Sequence, residues 1–306
     1  MKALSCLVCL VGMGLLNCSN VRAAEPIEPI GEVQVVGEGY AFTEGPAWHA
    51  ETGTLLFSDI PNATIHRVGL DGKITVFTDD SKFNNGILID AHGRVLGCQM
   101  AGQVVQYDLA SAKATKLASE YAGARFNAPN DLVVDQAGGI YFTDPLFRAP
   151  QPLPQGGQFV YYIAVDGTVS RVTEDLAAPN GIGLSPDGKQ LYVCPSKQSK
   201  MLVYQVLGPG KLSSAKKFCD LKQPAGKSET GADGIVLDIQ GNVYITTHLG
   251  VQICSPAGEF LGVVSFPQQP ANVCFGGEDW QTMYVTARTG VYSVRMPIAG
   301  LHPESK

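Results

Sequence analysis

The sequence is poor in charge. Asp, Glu, Lys and Arg make up 16% of its 306 residues, and no more than two basic residues stand in a row. With 28 acidic against 22 basic residues, a formal net charge of −6, the chain has no electrostatic footprint for nucleic acid. It also lacks helical periodicity. Beyond the N-terminal stretch no long segment carries apolar residues at a 3.6-residue spacing between capping residues, which excludes a helical bundle. No later apolar run approaches membrane-spanning length. Beyond residue 24 there is no Cys-x-x-Cys spacing, so a zinc-thiolate site finds no support.

The chain opens Met1-Lys2-Ala3, runs apolar from Leu4 to Leu16, and reaches Val21-Arg22-Ala23-Ala24 before Glu25-Pro26. A positive start, a short apolar core and small residues ahead of a break read as a secretory signal peptide over 1–24. Leu15-Leu16-Asn17-Cys18 weakly resembles a lipoprotein box, but Asn before the Cys fits poorly. The expectation is one domain over 25–306, released to the periplasm or the exterior and free of the membrane. Five cysteines follow the leader: Cys98, Cys194, Cys219, Cys254 and Cys274. The odd number leaves at least one unpaired in a monomer. Several stand in apolar strand patterns, as small buried side chains do, and no disulfide is predicted.

What is present is a repeat. A polar residue, a short apolar strand, a Gly-containing turn and a second strand recur six times. The copies are EGPAWHAETGTLLFSD, NGILIDAHGRVLGCQ, NDLVVDQAGGIYFTD, NGIGLSPDGKQLYVCP, DGIVLDIQGNVYITT and NVCFGGEDWQTMYVTA. A core position of the second strand falls at Leu56, Leu96, Tyr141, Tyr192, Tyr244 and Tyr284, spaced by 40, 45, 51, 52 and 40 residues. That period matches a four-stranded propeller blade of about 40 to 50 residues. The fold class expected is all-β, a six-bladed β-propeller with four-stranded blades. Blade one reads as Pro46–His49, Thr54–Asp59, Thr64–Val68 and Ile74–Thr78. The sixth copy runs out of chain after three strands, and Val33–Val36 would supply the fourth and close the ring. Residues 150–157 and 222–231 are loop insertions.

The residues opening the six inner strands are Glu44, Asn85, Asn130, Asn180, Asp233 and Asn272. Each precedes its anchor by 11 or 12 residues, so they are expected at one depth of the central channel. A single Asn-Gly or Asp-Gly is a turn former. Glu44 is a poor turn residue, however, and Asn130 and Asn272 are not followed by Gly. A ring of carboxylates and amides is a hard, oxygen-only donor set. It suits one divalent metal ion, Ca²⁺ foremost, with Mg²⁺, Mn²⁺ or Zn²⁺ as alternatives.

Thr43-Glu44-Gly45-Pro46, Asn127-Ala128-Pro129-Asn130-Asp131-Leu132, Phe142-Thr143-Asp144-Pro145, Pro179-Asn180-Gly181-Ile182, Asp233-Gly234 and Phe275-Gly276-Gly277 together resemble the gluconolactonase/regucalcin (senescence marker protein-like) family, from about Gly31 to Arg295. The resemblance implies a metal at the channel mouth, held by Glu44, Asn130, Asn180 and Asp233, and hydrolysis of a small sugar lactone with no obligate protein partner. Relatives on this scaffold hydrolyse organophosphates, so an organophosphate or aryl-ester hydrolase is one alternative. A non-catalytic metal-binding propeller is another. Cys98-Gln99-Met100-Ala101-Gly102 departs from the family, whose members often carry a His or another polar pair there.

For ester hydrolysis a carboxylate must lie within reach of the attacking water. Asp233 is the first candidate base and Asp131 the second. Asn85, Gln99, Arg125, Asn272 and His248 are the candidate substrate-binding residues. Arg125 and His248 also have ordinary surface and structural readings.

Overall fold

The chain's structure, a computed structural model, describes residues 25–302. The leader expected over 1–24 lies outside them. Among the described residues no helix is long and apolar enough to cross a membrane. Strands run inner to outer as four-stranded antiparallel sheets. Blade one comprises Thr43–His49, Thr54–Asp59, Thr64–Val68 and Ile74–Thr78. Its inner strand starts three residues earlier than Pro46, taking in Glu44. The remaining blades begin at Asn84–Ile89, Leu132–Val134, Pro179–Leu184, Ile235–Leu237 and Pro270–Gly276. The six sheets form a six-bladed β-propeller.

Ring closure follows the expectation. The N-terminal strand Ile30–Glu38 pairs antiparallel with Gly290–Arg295 as the outer strand of blade six, with Gln34 opposite Ser293 and Glu38 opposite Gly290. Pairing first and last segments in one sheet removes a free edge. Each seam between neighbouring blades has its own core. Blades two and three share Leu96, Cys98, Phe126, Phe142 and Tyr161. Blades four and five share Tyr192, Cys194, Cys219, Ile245 and Cys254.

The hairpins joining inner to second strands repeat one device. In blade three Asp135 Oδ1 accepts the N–H groups of Ala137 and Gly139, and in blade five Asp238 Oδ1 accepts those of Gln240 and Asn242. A carboxylate that caps its own turn fixes the hairpin locally. Two additions were not foreseen. Glu120–Tyr121 and Ala124–Arg125 form a small hairpin between blades two and three, and Lys211–Leu212 folds back on the long strand Lys200–Gly208.

Candidate active site

The inner strands are irregular where the polar residues stand. Their pairing with the second strands shifts between Glu44 and Ala47, Asn84 and Ile87, Pro179 and Ile182, and Pro270 and Asn272. A bulge frees backbone donors from the ladder. Those donors go sideways, to the next blade. Gly86 N–H donates to Asn130 O (2.8 Å), Gly181 N–H to Asp233 O (2.9 Å) and Gly234 N–H to Ala271 O (2.8 Å). Hydroxyls of the second strands add to this: Ser58 donates to Asn85 O, Thr143 to Asn180 O and Thr246 to Ala271 O, each at 2.8 Å.

These bonds define equivalent positions, and they correct the register in blade six. Glu44, Asn85, Asn130, Asn180 and Asp233 share one tier, and blade six contributes Ala271 to it. Asn272 lies one residue further along, in a second tier with Asp131. Gly45, Gly86, Gly181 and Gly234 occupy that second tier in the other blades. Blades three and six face each other across the channel, and Asn272 Nδ2 reaches Asp131 Oδ2 at 3.4 Å. The glycines make room for this. A Cβ on Gly86 would stand 2.6 Å from Asp131 Oδ1, and one on Gly234 would stand 2.1 Å from Asn272 Oδ1. Below the Asp131–Asn272 pair a cavity of about 580 Å³ opens toward the opposite face, lined by Ile87, Leu132, Ile182, Ile235 and Phe275 among others.

Three polar side chains spend one oxygen on their own bulge. Glu44 Oε2 accepts Gly45 N–H (2.8 Å), Asp131 Oδ1 accepts Leu132 N–H (2.9 Å) and Asn272 Oδ1 accepts Val273 N–H (2.8 Å). The second carboxyl oxygen of Asp131 is the one that Asn272 Nδ2 reaches, and the Asn272 amide also serves Glu44. Asn85 Oδ1 is buried and has no hydrogen-bond partner, a cost rarely tolerated without a function.

Electrostatics converge on the same place. Burial pushes the Glu44 carboxyl up to about 7, against the pull of Gly45 N–H, the Asn272 amide and the Arg288 charge. Burial and then the Glu44 charge push Asp131 up to about 8. Asp233 is raised well above the ordinary carboxylate value by burial and by the charges of Glu44 and Asp131, while Arg288 and Asn180 oppose the shift. Asp233 is also the least enclosed of the ring carboxylates. Glu44 and Asp131 are 2% and 8% exposed, whereas Asp233 is half-buried.

Carboxylates gathered in a low-dielectric channel call for a cation. Among the described residues no three His, Cys, Asp or Glu side chains form a metal-type cluster by themselves. The convergence here is mixed, with carboxylates complemented by the amides of Asn85, Asn130 and Asn180. Together with the unpartnered Asn85 oxygen, this oxygen-only set fits a hard divalent ion.

Other sequence candidates stand elsewhere. Gln99 is 2% exposed and donates to Tyr107 OH (3.0 Å), whose hydroxyl donates to Asn84 Oδ1 (3.2 Å). It is spent inside blade two, because it falls where blades one and three carry Asp59 and Asp144. Those carboxylates tie loops: Asp144 accepts the N–H groups of Asn127 and Ala128, both at 2.8 Å. Arg125 is exposed on the unforeseen hairpin and donates to the carbonyls of Phe126 and Asn127, so it is a loop clasp. The His248 imidazole lies over Gly231, two residues before Asp233, and stays near the mouth.

Sequence reading missed Arg288. It follows the second strand of blade six with φ +50°, and its carbonyl accepts Thr43 N–H at 2.7 Å, one residue from Glu44. Its guanidinium bonds Gln269 and lies 5.5 Å over the Phe42 ring. A lone Arg in a turn carries no signal in one sequence.

Comparison with known proteins agrees with this architecture. The model of the family described as SMP-30/Gluconolactonase/LRE-like region matches residues 42–289. The gluconolactonase of Zymomonas mobilis is 28% identical over 294 residues, covering 88% of this chain and 82% of that protein. Regucalcin of Bos taurus is 27% identical over 269 residues, covering 84% and 88%. Among solved structures, the gluconolactonase XC5397 of Xanthomonas campestris superposes with a TM-score of 0.80 at 27% identity, covering 90% of this chain and 96% of that one.

Proposed function

Since the chain belongs to the SMP-30/gluconolactonase/LRE-like family, we propose that it is an exported hydrolase that opens a sugar lactone to the aldonic acid with the help of one divalent ion, calcium foremost. The observation that carries the reading is the tier of Glu44, Asn85, Asn130, Asn180 and Asp233, with its buried carboxyls and its unpartnered amide oxygen. Glu44, Asn130, Asn180 and Asp233 would hold the ion. When bound, it supplies Lewis-acid polarisation of the ester carbonyl and stabilises the charge that develops on its oxygen.

The chain's own groups do the rest. Asp233 is the ring carboxyl most open to the mouth, and burial with neighbouring charge raises its proton affinity. It is therefore suited to take a proton from the attacking water. Asp131 is the second candidate, but Leu132 N–H and the Asn272 amide donate to its two oxygens, which leaves it less ready than Asp233 to take a proton from water. Asn85 Oδ1 accepts a sugar hydroxyl. Asn272 steadies Glu44 and Asp131, and His248 borders the mouth beside the Asp233 loop. The Arg288 charge favours the ionised forms of Glu44 and Asp233.

The test is acid release from a panel of aldonolactones set beside phosphotriesters and aryl esters. Hydrolysis of the lactones should dominate, stop on chelation and return with Ca²⁺. Glu44→Gln and Asp233→Asn should each lose at least about 100-fold in kcat/KM, the scale expected for an electrostatic or general-base group, with an unchanged circular dichroism spectrum. Full activity in both folded variants would overturn the assignment.

A further inference from the structure

The seam between blades four and five holds three buried thiols, Cys194, Cys219 and Cys254. Cys219 lies on the outer strand of blade four, Lys216–Asp220, and Cys254 ends the third strand of blade five, Gly250–Cys254. Their Sγ atoms are 3.1 Å apart. Carbon atoms in van der Waals contact sit about 3.5–4.0 Å apart, and sulfur is larger, so this is closer than packing alone accounts for. A disulfide needs about 2.05 Å, roughly 1 Å nearer.

The surroundings hold the two backbones in place. The turn after Cys254 presses against the strand bearing Cys219: a Cβ on Gly258 would stand 2.4 Å from Phe218 O and 3.6 Å from Cys219 Cβ. Gln252 makes a reciprocal pair with the Lys222 backbone, accepting its N–H at 2.8 Å and donating to its carbonyl at 2.9 Å. Lys222 opens the loop that leads to Asp233. Cys219 and Cys254 thus flank an existing clasp between the blades.

We propose that Cys219 and Cys254 form an inter-blade disulfide that fixes the root of the loop carrying Asp233. The chemistry is thiol–disulfide exchange with a small-molecule disulfide of the oxidised-glutathione class. The two protein thiols lose two protons and two electrons and gain one S–S bond, while the oxidant's S–S bond breaks to give two thiols. Cys98, Cys194 and Cys274 stay reduced.

The test uses the whole chain, incubated with oxidised glutathione or with reductant, quenched with an alkylating agent under denaturing conditions, and mapped by mass spectrometry of unreduced peptides. A peptide pair linked through Cys219 and Cys254 is expected, together with a Tm about 5 °C higher in the oxidised form. Cys254→Ser should abolish both the link and the shift, and Cys219→Ser serves equally if that variant folds poorly. Full alkylation of both thiols after oxidation, or a link that uses Cys194 instead, would overturn the proposal.

Discussion

At the scale of single residues, the site depends on side chains doing two jobs. Glu44, Asp131 and Asn272 each satisfy a backbone N–H released by a bulge, which explains structurally why a polar residue stands there. What exceeds that need is the remainder: the second carboxyl oxygens, the unpartnered Asn85 oxygen, and carboxyls shifted by burial and by one another. Arg288 is the cation that offsets this crowding from the protein side. Replacing it by Met removes a charge that favours ionised Glu44 and Asp233, so both would bind protons more tightly. The acid limb of the kcat/KM profile should move to higher pH while the alkaline plateau is kept, and the displacement should shrink in high salt, because the guanidinium is exposed. A profile that keeps its midpoint but loses height would show Arg288 acting directly on substrate instead.

At the scale of elements, the blades are joined at the channel by hydroxyls of the second strands donating to carbonyls of the next blade. Thr143→Val keeps the shape but leaves Asn180 O without this donor, in a buried seam. It should cost about 1–3 kcal/mol, read as a lower midpoint in denaturant at constant m. Thr246→Val, two blades away, should cost a similar amount. The two should add within about 0.5 kcal/mol if each seam is an independent joint, and strong coupling would show that the ring yields as one unit.

The same elements show what the sequence could reveal. Blade number, the strands of blade one and the closing strand were legible, because period and turn chemistry are local properties repeated six times. The shared tier of Glu44, Asn130, Asn180 and Asp233 was legible because each opens a copy of the repeat. Asn272 was placed one residue out, since counting back from an anchor assumes hairpins of constant length, and the blade-six hairpin from Cys274 to its partner Tyr284 is longer than the blade-five one from Val236 to Tyr244. Gln99 was misjudged because its partner, Tyr107, lies on the neighbouring strand of its own blade. Arg288 and the Cys219–Cys254 approach depend on contacts between segments far apart in the chain, which no pattern within one sequence encodes.

At the scale of the whole molecule, the channel makes stability depend on pH and on cation together. Unfolded, Glu44 and Asp131 would ionise near the ordinary carboxylate values of about 4; folded, they hold their protons to about 7 and 8. Between those limits the folded chain binds protons that the unfolded chain releases, so folding is favoured at the acid end and weakens as pH rises through the window. A chain stripped by chelation should therefore lose Tm steadily from pH 5 to pH 8. A divalent ion reverses the sign of the problem, since it needs the ionised carboxyls and binds only the folded form. At pH 8, added Ca²⁺ should raise Tm by an amount that grows with the logarithm of its concentration, and at pH 5, where protons already occupy these sites, it should do little. Glu44→Gln with Asp131→Asn should reduce the pH dependence of the stripped chain to what buried Asp233 still contributes, and blunt the response to Ca²⁺. A stripped chain whose Tm is constant or rises toward pH 8 would mean that these carboxyls ionise freely in the fold, and the case for a cation in the channel would fall with it.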